Sequence, residues 1–216
     1  MKSAILKPIR ENIEHFEKEY ALIPERRKQI LQQLAAFVMK KQKTGQSAEL
    51  NFICTHNSRR SHLSQIWAQA AAAFYHVENL RCYSGGTEAT AFNPRAVKAM
   101  SEVGFIIIKN DETENPRYAV RFAESQEPLI AFSKVYSDPF NPSTGYAAVM
   151  TCSHADENCP LVIGAETRIS LPFNDPKDFD GTPQEEEKYR ERVLEIGREM
   201  CYAFSQVKLK SARIHE

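Results

Sequence analysis

The sequence predicts an α/β fold: a four-stranded, twisted parallel sheet flanked by helices, with an amino-terminal helical extension and a β-hairpin insertion. From residue 49 onward, short apolar runs typical of buried strands alternate with longer segments typical of helices. Such alternation is typical of βαβ units, in which neighbouring strands pair in parallel. Two of the apolar runs end in a cysteine, Cys54 and Cys152, and parallel sheets bind ligands at those strand ends.

The extension comprises residues 1–47. Pro8 suits the first turn of a helix, and apolar residues follow it at spacings of three and four. Pro24 begins a second amphipathic helix, which ends at basic residues and Gly45. We expect the two helices to act as a structural cap on the rest of the chain, or as an oligomer contact that forms a homodimer.

Residues 48–210 form the predicted main domain. Its predicted helices cover residues 61–75, 94–103 and 185–208. Its predicted strands are "LNFIC", "LRCYS", "GFIIIK" and "YAAVMTC", with "RISLPF" as a candidate fifth. We interpret residues 118–136 as the hairpin insertion, because "YAVRF" and "LIAFSKVY" alternate like strands on either side of a Ser-Gln-Glu turn.

Composition excludes several classes of function. Lys plus Arg equal Asp plus Glu at 28 each, so no overall charge favours a nucleic acid or an anionic membrane. No apolar run is long enough to span a bilayer, and the amino-terminal stretch turns polar too early for a signal peptide. We therefore expect a cytoplasmic protein without nucleic-acid or membrane partners. Its five cysteines, an odd number, argue against a permanent disulfide framework.

The stretch C-T-H-N-S-R-R-S, residues 54–61, is the strongest candidate for a reactive site. Five residues separate Cys54 from Arg60, between a predicted strand and a predicted helix. A loop of this length can turn its backbone N–H groups around an oxyanion, and the helix N-terminus adds positive charge. Arg60 can bind two oxygens of the anion, and the same field favours a thiolate. We therefore predict that Cys54 is a nucleophile and that Ser61 hydrogen-bonds its sulfur.

The residues between the cysteine and Arg60 are predicted to line the bound anion; they are Thr55, His56, Asn57, Ser58 and Arg59. Asn57 suits a left-handed backbone conformation in the middle of the loop. Arg59 is expected to face solvent or a carboxylate at the rim. The competing interpretation, a buried cysteine before a solvated basic turn, leaves Arg60 and Ser61 unexplained.

Cys152 and Cys159 form a second candidate group. With no second pair nearby, they do not predict a zinc site, and we predict no metal. A helix would separate the two sulfurs by roughly 10 Å, so they can bond only if the segment unwinds. The intervening residues are polar, so unwinding should cost little, and the pair is compatible with a redox relay.

The loop resembles that of the low-molecular-weight tyrosine phosphatase superfamily, whose members carry C-x5-R-S after the first strand. The resemblance covers about residues 49–208 and makes residues 48–210 a catalytic domain. Within the superfamily, C-S-H-A-D-E-N-C-P at 152–160 resembles the C-S-x-A-D-x-N-C-P of thioredoxin-coupled arsenate reductases. Further matches are Y-S-G-G-T-E-A and N-P-R-A-V-K-A-M within 83–100 and F-N-D-P at 173–176.

This resemblance implies arsenate reduction by three thiols. The Cys54 thiolate attacks arsenate, and Asp175 protonates the departing oxygen. Cys152 attacks Cys54 and releases arsenite, and Cys159 then attacks Cys152. The resulting disulfide passes to an external reductant such as thioredoxin, and no bound cofactor is implied. Asp138, in the chain's other Asp-Pro pair, is the second candidate for the acid.

Two alternatives stay open. A low-molecular-weight tyrosine phosphatase would hydrolyse phosphotyrosine or an aryl phosphate through a phosphocysteine intermediate and needs neither Cys152 nor Cys159. A non-catalytic oxyanion-binding or docking protein would use the loop as a receptor. The sequence also departs from the family at His56, usually Gly, at Arg59, often Cys, and at Gln65, a potassium-binding Glu in some members. These departures bear on the substrate more than on the loop chemistry.

Overall fold

The computed structural model describes residues 4–158 and 161–212. Its α-helices and β-strands, in chain order, are α1 (Lys7–Glu19), α2 (Glu25–Lys43), β1 (Ala48–Cys54), α3 (Arg60–Phe74), β2 (Leu80–Gly86), α4 (Pro94–Glu102), β3 (Ile106–Lys109), β4 (Tyr118–Arg121), β5 (Leu129–Ala131), β6 (Tyr146–Met150), α5 (Ser153–Asn158), β7 (Ala165–Ser170) and α6 (Glu185–Ala212). Short 3-10 helices lie at Tyr20–Leu22 and Pro176–Phe179. No helix within the described ranges combines the length and the apolar character that crossing a membrane requires.

The predicted four-stranded parallel sheet is confirmed, with strand order β2-β1-β6-β7. The central strands β1 and β6 are almost entirely buried, as expected where helices cover both faces of a parallel sheet. The register pairs Cys54 with Gly86 on one side and Ile53 with Met150 on the other. The carboxyl ends of β1 and β6, and therefore Cys54 and Cys152, meet at the same edge of the sheet.

One strand assignment is wrong. The run "GFIIIK", expected as the third strand of the parallel sheet, instead contributes β3, which pairs antiparallel with β4. The edge position in the parallel sheet is taken by β7, from the candidate fifth run. Ile106 and Ile108 are about half exposed, whereas a parallel strand between helix layers is buried on both faces. A short apolar run does not distinguish these two environments.

The predicted hairpin insertion is confirmed. Strands β4 and β5 pair antiparallel and form a three-stranded sheet with β3. This small sheet continues into residues 133–136, which pass close to β2. There Val135 forms a bridge with Gly86.

The two amino-terminal helices are also confirmed, and they pack into the main hydrophobic core. Phe16 of α1 lies against Trp67 of α3 with ring centroids 5.5 Å apart. Gly197 of α6 faces both rings, and a Cβ atom there would lie 2.7 Å from Trp67 and 2.9 Å from Phe16. Because α1 and α2 share this core, they form part of the molecule's interior as well as its surface. The division at residues 47 and 48 and the homodimer stay predictions.

Candidate active site

The Cys54 loop, residues 54–61, joins β1 to α3. Cys54 is 3% exposed, and its Sγ lies 3.0 Å from Oγ of Ser61. Asn57 has a φ of +44° and donates through Nδ2 to the same Oγ at 2.8 Å. Since Ser61 accepts a hydrogen bond from Asn57, its own hydroxyl proton is available to the sulfur. A donor in this position stabilises a thiolate.

The carbonyl groups of the loop are engaged from outside. Those of Cys54, Thr55 and His56 accept bonds from Thr87 N, Glu88 N and Thr90 Oγ1, respectively, and the carbonyl of Ser58 accepts from Asn93 N. In a trans peptide the N–H points away from the carbonyl, so the N–H groups of these peptides are turned the other way. Oriented N–H groups of this kind, next to a helix N-terminus, make an anion-binding concavity.

Gly86 lets this outer layer approach the loop. A Cβ atom at Gly86 would lie 2.6 Å from the oxygen of Thr55 and 2.7 Å from the nitrogen of Asn57. Both atoms belong to the backbone and cannot move aside cheaply. Any side chain at this end of β2 would therefore distort the loop.

The insertion supports the same loop. Ser133 donates through Oγ to the carbonyl of His56 at 3.0 Å, and the backbone N–H of Lys134 donates to Oδ1 of Asn57 at 2.9 Å. Asn57 is thus fixed at both ends of its amide, with the left-handed backbone held by buried contacts. The side chain of His56 lies outside, 3.7 Å from Glu88 at the rim.

Arg60 is held by the segment that carries Asp175. Its Nη2 lies 2.5 Å from Oδ2 of Asp175, and its Nη1 donates to the carbonyl of Phe173 at 3.1 Å. Asp175 is 115 residues away in sequence and reaches the loop through the Asp175 segment, residues 172–175. Asp138 instead accepts from the N–H of Phe140 in a turn at 2.8 Å. Of the two Asp-Pro aspartates, the structure brings Asp175 to Arg60.

Arg59 faces carboxylates, one of the two environments expected for it. Its side chain is 11% exposed and donates to the hydroxyl of Tyr189 at 2.8 Å. Asp180 lies 3.5 Å from its Nη2, and Asp175 lies 4.0 Å from its Nε. Burial and the hydrogen bond to Asp180 raise the pKa of Tyr189 to about 12, so this hydroxyl stays protonated at neutral pH. Arg59 therefore orders the rim beside Asp175, and the structure does not direct it to the loop centre.

Cys152 lies beside the loop. It is 1% exposed and belongs, with Cys54, to one small hydrophobic cluster at the ends of β1 and β6. Its Sγ lies 3.5 Å from Oγ1 of Thr55 and accepts the N–H of Ala155 at 3.3 Å. Cys159, the third predicted thiol, lies outside the described residues.

The two thiols left out of the predicted chemistry have a different environment. Cys82 and Cys201 are buried, and burial raises the pKa of both well above the ordinary value; Glu17 adds to the shift at Cys201. Such thiols stay protonated at neutral pH, as expected for core residues.

Comparison with known proteins identifies the family. No protein-family model matches the chain. An arsenate reductase of Bacillus subtilis (strain 168) is 32% identical over 150 residues, which cover 69% of this chain and 89% of that protein. An arsenate reductase of Halalkalibacterium halodurans is 32% identical over 148 residues, 68% of this chain and 88% of that protein. The chain belongs to the arsenate reductase family.

A solved structure supports the same fold. The low-molecular-weight phosphotyrosine phosphatase of Vibrio cholerae O395 matches with a TM-score of 0.51 over 76% of this chain and 99% of that chain, at 13% identity. Arsenate reductases are enzymes, and so is this member of the family.

Several residues around the Cys54 loop were not predicted from the sequence. Asp180 and Tyr189, which hold Arg59, gave no local signal, because their roles depend on where α6 packs. Ser133 and Lys134 did leave one: they interrupt an otherwise apolar strand pattern. Polar residues at such a position indicate contact with another polar element, here the Cys54 loop.

Proposed function

We propose that the protein reduces arsenate to arsenite with a cysteine relay and a thioredoxin-like reductant in the cytoplasm. The observation that carries the proposal is the placement of Cys54 and Cys152 in one buried cluster at neighbouring strand ends, with Thr55 next to both. Hydrolysis of a phosphate ester needs the first thiol only. The arsenate reductases of the family support the choice of substrate.

In the first step, arsenate enters the Cys54 loop and binds the inward N–H groups and Arg60. Arg60 must release Asp175 to do so, since its Nη2 now faces that carboxylate. The thiolate, hydrogen-bonded by Ser61, attacks arsenic and forms a sulfur–arsenic bond. Asp175, once protonated, gives its proton to the departing oxygen, which leaves as water.

In the second step, Cys152 attacks the sulfur of Cys54. A disulfide forms between them, and the electron pair of the sulfur–arsenic bond passes to arsenic, which leaves as arsenite. Cys159 then attacks Cys152, so that Cys54 leaves as a thiolate. A dithiol reductant finally reduces the Cys152–Cys159 disulfide. This exchange requires α5, which lies between the two cysteines, to open.

Arsenate-dependent oxidation of NADPH, coupled through thioredoxin and thioredoxin reductase, tests the proposal. Wild type should reduce arsenate over many turnovers, and Cys54→Ser should show no activity. Cys159→Ser should release one arsenite per enzyme and stop, whereas Cys152→Ser should release none. Cys201→Ala, which alters a core thiol, serves as the control and should keep its turnover. The relay fails if wild type is inactive with arsenate but hydrolyses an aryl phosphate as fast as Cys159→Ser does.

A phosphatase is the second candidate, because Cys54, Arg60 and Asp175 suffice for hydrolysis through a phosphocysteine. Its support is the shared fold and the contact between Arg60 and Asp175. A phosphatase for aryl phosphates would also need an aromatic side chain near Asp175 to hold the phenyl ring. Phe179 is the nearby candidate in sequence, but Nζ of Lys188 lies over its ring, 5.6 Å from the centroid.

A further inference from the structure

Arg27, in the second helix of the amino-terminal extension, joins three parts of the molecule. Its Nε and Nη2 bind the two carboxylate oxygens of Glu199 on α6 at 3.0 and 2.5 Å. Its Nη1 donates to the carbonyl of Pro172 at 2.8 Å, and its Cζ lies 4.7 Å from the centroid of the Phe173 ring. The guanidinium therefore holds the start of the Asp175 segment.

The next residue passes this contact on to the site. The N–H of Phe173 donates to the carbonyl of Thr151, and its carbonyl accepts from Nη1 of Arg60. Asp175 follows two residues later and binds the other terminal nitrogen of Arg60. Arg27, Phe173 and Arg60 thus form a continuous chain of contacts that ends at the carboxylate.

The fork geometry explains why the residue is an arginine. Glu199 is 3% exposed, so its charge requires a close partner. Two guanidinium nitrogens satisfy this carboxylate and leave the third for Pro172. A lysine has one nitrogen in place of this planar fork and cannot reproduce both contacts in the same geometry.

Arg27 and Arg60 affect a third arginine, Arg192, and each of the three is paired with a carboxylate. Burial lowers the pKa of Arg192, and Arg60 and Arg27 lower it further, while Glu191 and Glu199 act in the opposite direction. Arg27 and Glu199 therefore form a balanced pair within a network of paired charges that includes Arg60.

We propose that Arg27 is a positioning residue for oxyanion chemistry: it fixes the Asp175 segment, and through Phe173 it fixes Arg60 and Asp175. The inference rests on the proposed function and assigns the amino-terminal helices a part in it. Arg27 contacts neither Cys54 nor the loop, so it acts only through these residues. A displacement of about 1 Å at a reacting group can cost on the order of 100-fold in rate.

A purely structural tie between α2 and the core is the competing explanation, and Lys41 offers a matched control. Lys41 is a second buried cation of α2, 7% exposed, and its Nζ lies 2.6 Å from Glu166 of β7. It fastens α2 to the sheet without touching the Asp175 segment. Lys41→Met should lower the melting temperature and leave the site intact.

The experiment compares wild type, Arg27→Lys, the double variant Arg27→Gln/Glu199→Gln and Lys41→Met. The double variant removes both charges and leaves no unpaired carboxylate, so it guards against failure to fold. Each protein is measured for melting temperature, for kcat and KM with arsenate in the thioredoxin-coupled assay, and for phosphate affinity. The affinity is obtained from the concentration of inorganic phosphate that protects Cys54 against an alkylating reagent.

In both Arg27 variants we expect kcat to fall about 10- to 100-fold and phosphate affinity to weaken severalfold. In Lys41→Met both should stay within about twofold of wild type, because Lys41 ties α2 to β7 without contacting the Asp175 segment, so its loss should change stability rather than chemistry. If the double variant matches Lys41→Met in kcat and in phosphate affinity, the inference is overturned.

Failure of the proposed function gives a different result. If wild type does not reduce arsenate, the proposed function falls, and phosphate protection alone decides the role of Arg27. Weaker protection in the double variant than in Lys41→Met then supports that role, and equal protection refutes it. If phosphate also fails to protect Cys54 in this inactive wild type, the role of Arg27 is refuted as well.

Discussion

The Cys54 loop and the segment that follows Cys152, residues 152–158, occupy neighbouring strand ends, and each leads into a helix. They are held very differently. The loop is fixed from α3, β2 and the insertion, and its Asn57 is bonded at both ends of the amide. The Cys152 segment forms a helix of six residues, which Asp156 ties to Arg168 and Ser170 of β7.

This difference matches the two tasks proposed for the thiols. An anion site needs donors held in place before the substrate arrives, because reorganisation during the reaction raises the barrier. A thiol that passes a disulfide onward needs a segment that can open at a modest free-energy cost. Under the proposed function, the strand-end position on β1 would serve as the rigid anion site, and the one on β6 would carry a segment that opens.

Replacing the guanidinium in the rigid half should have the largest effect. Arg60→Lys retains the charge but loses the paired donors, so we expect kcat/KM for arsenate to fall by about 100- to 1000-fold. Steady-state kinetics in the thioredoxin-coupled assay measure this. Arg121→Lys, an exposed arginine of β4, is the control. A loss below tenfold in Arg60→Lys would contradict the binding role.

Asn57 tests how the loop is held. Asn57→Ala places a Cβ-bearing residue without a local polar partner at positive φ and leaves the buried N–H of Lys134 unpaired. We expect the free energy of unfolding to fall by about 2–4 kcal/mol, measured by urea denaturation. Asn57→Gly removes only the strain of positive φ, so about 1 kcal/mol of the lost unfolding free energy should be recovered relative to Asn57→Ala. Equal stability of the two variants would show that φ does not contribute.

Lys134 tests the insertion's side of the loop through pH. Burial lowers its pKa to about 8; Asp138 raises it and Arg117 lowers it further. Between pH 8 and about 10.4 the unfolded chain holds this proton and the folded chain does not, so stability should rise with pH in that window.

The rise in the free energy of unfolding across this pH window should be on the order of 3 kcal/mol at most. The measurement is the difference in unfolding free energy between wild type and Lys134→Met, which cancels the titration of other groups. This difference should increase from pH 8 to about pH 10 in favour of wild type. A constant difference across the window would refute the lowered pKa.

The smallest effect is expected in the Cys152 segment. Asp156→Asn weakens the contacts to Arg168 and Ser170, so hydrogen exchange in residues 153–158 should accelerate by about tenfold, corresponding to a charge-assisted bond of 1–2 kcal/mol. Phosphate affinity of the Cys54 loop should not change. A parallel loss of affinity would show that the two strand ends are not separate in this way.

Much of the site could be predicted from the sequence because the Cys54 loop is local. The strand, the turn at Asn57 and the helix beginning at Arg60 lie within a few residues of one another, and local backbone preferences specify them. Cys152 and Cys159 were found in the same way, from a short stretch of sequence. The distance between Cys54 and Cys152 was not predictable, because it depends on β1 and β6 being neighbours in the sheet.

The sequence by itself determined the α/β class, the Cys54 loop with Ser61 against the sulfur, and the two N-terminal helices. Tertiary structure alone decided that β3 joins the antiparallel sheet and that Arg59 turns to Asp180. It also brought Asp175, the acid that the family resemblance implies, to Arg60. It also decided that Arg27 reaches Pro172, 145 residues away. The reason is physical: short-range geometry follows from neighbouring residues, whereas long-range pairs form only where packed helices and strands bring them within bonding distance.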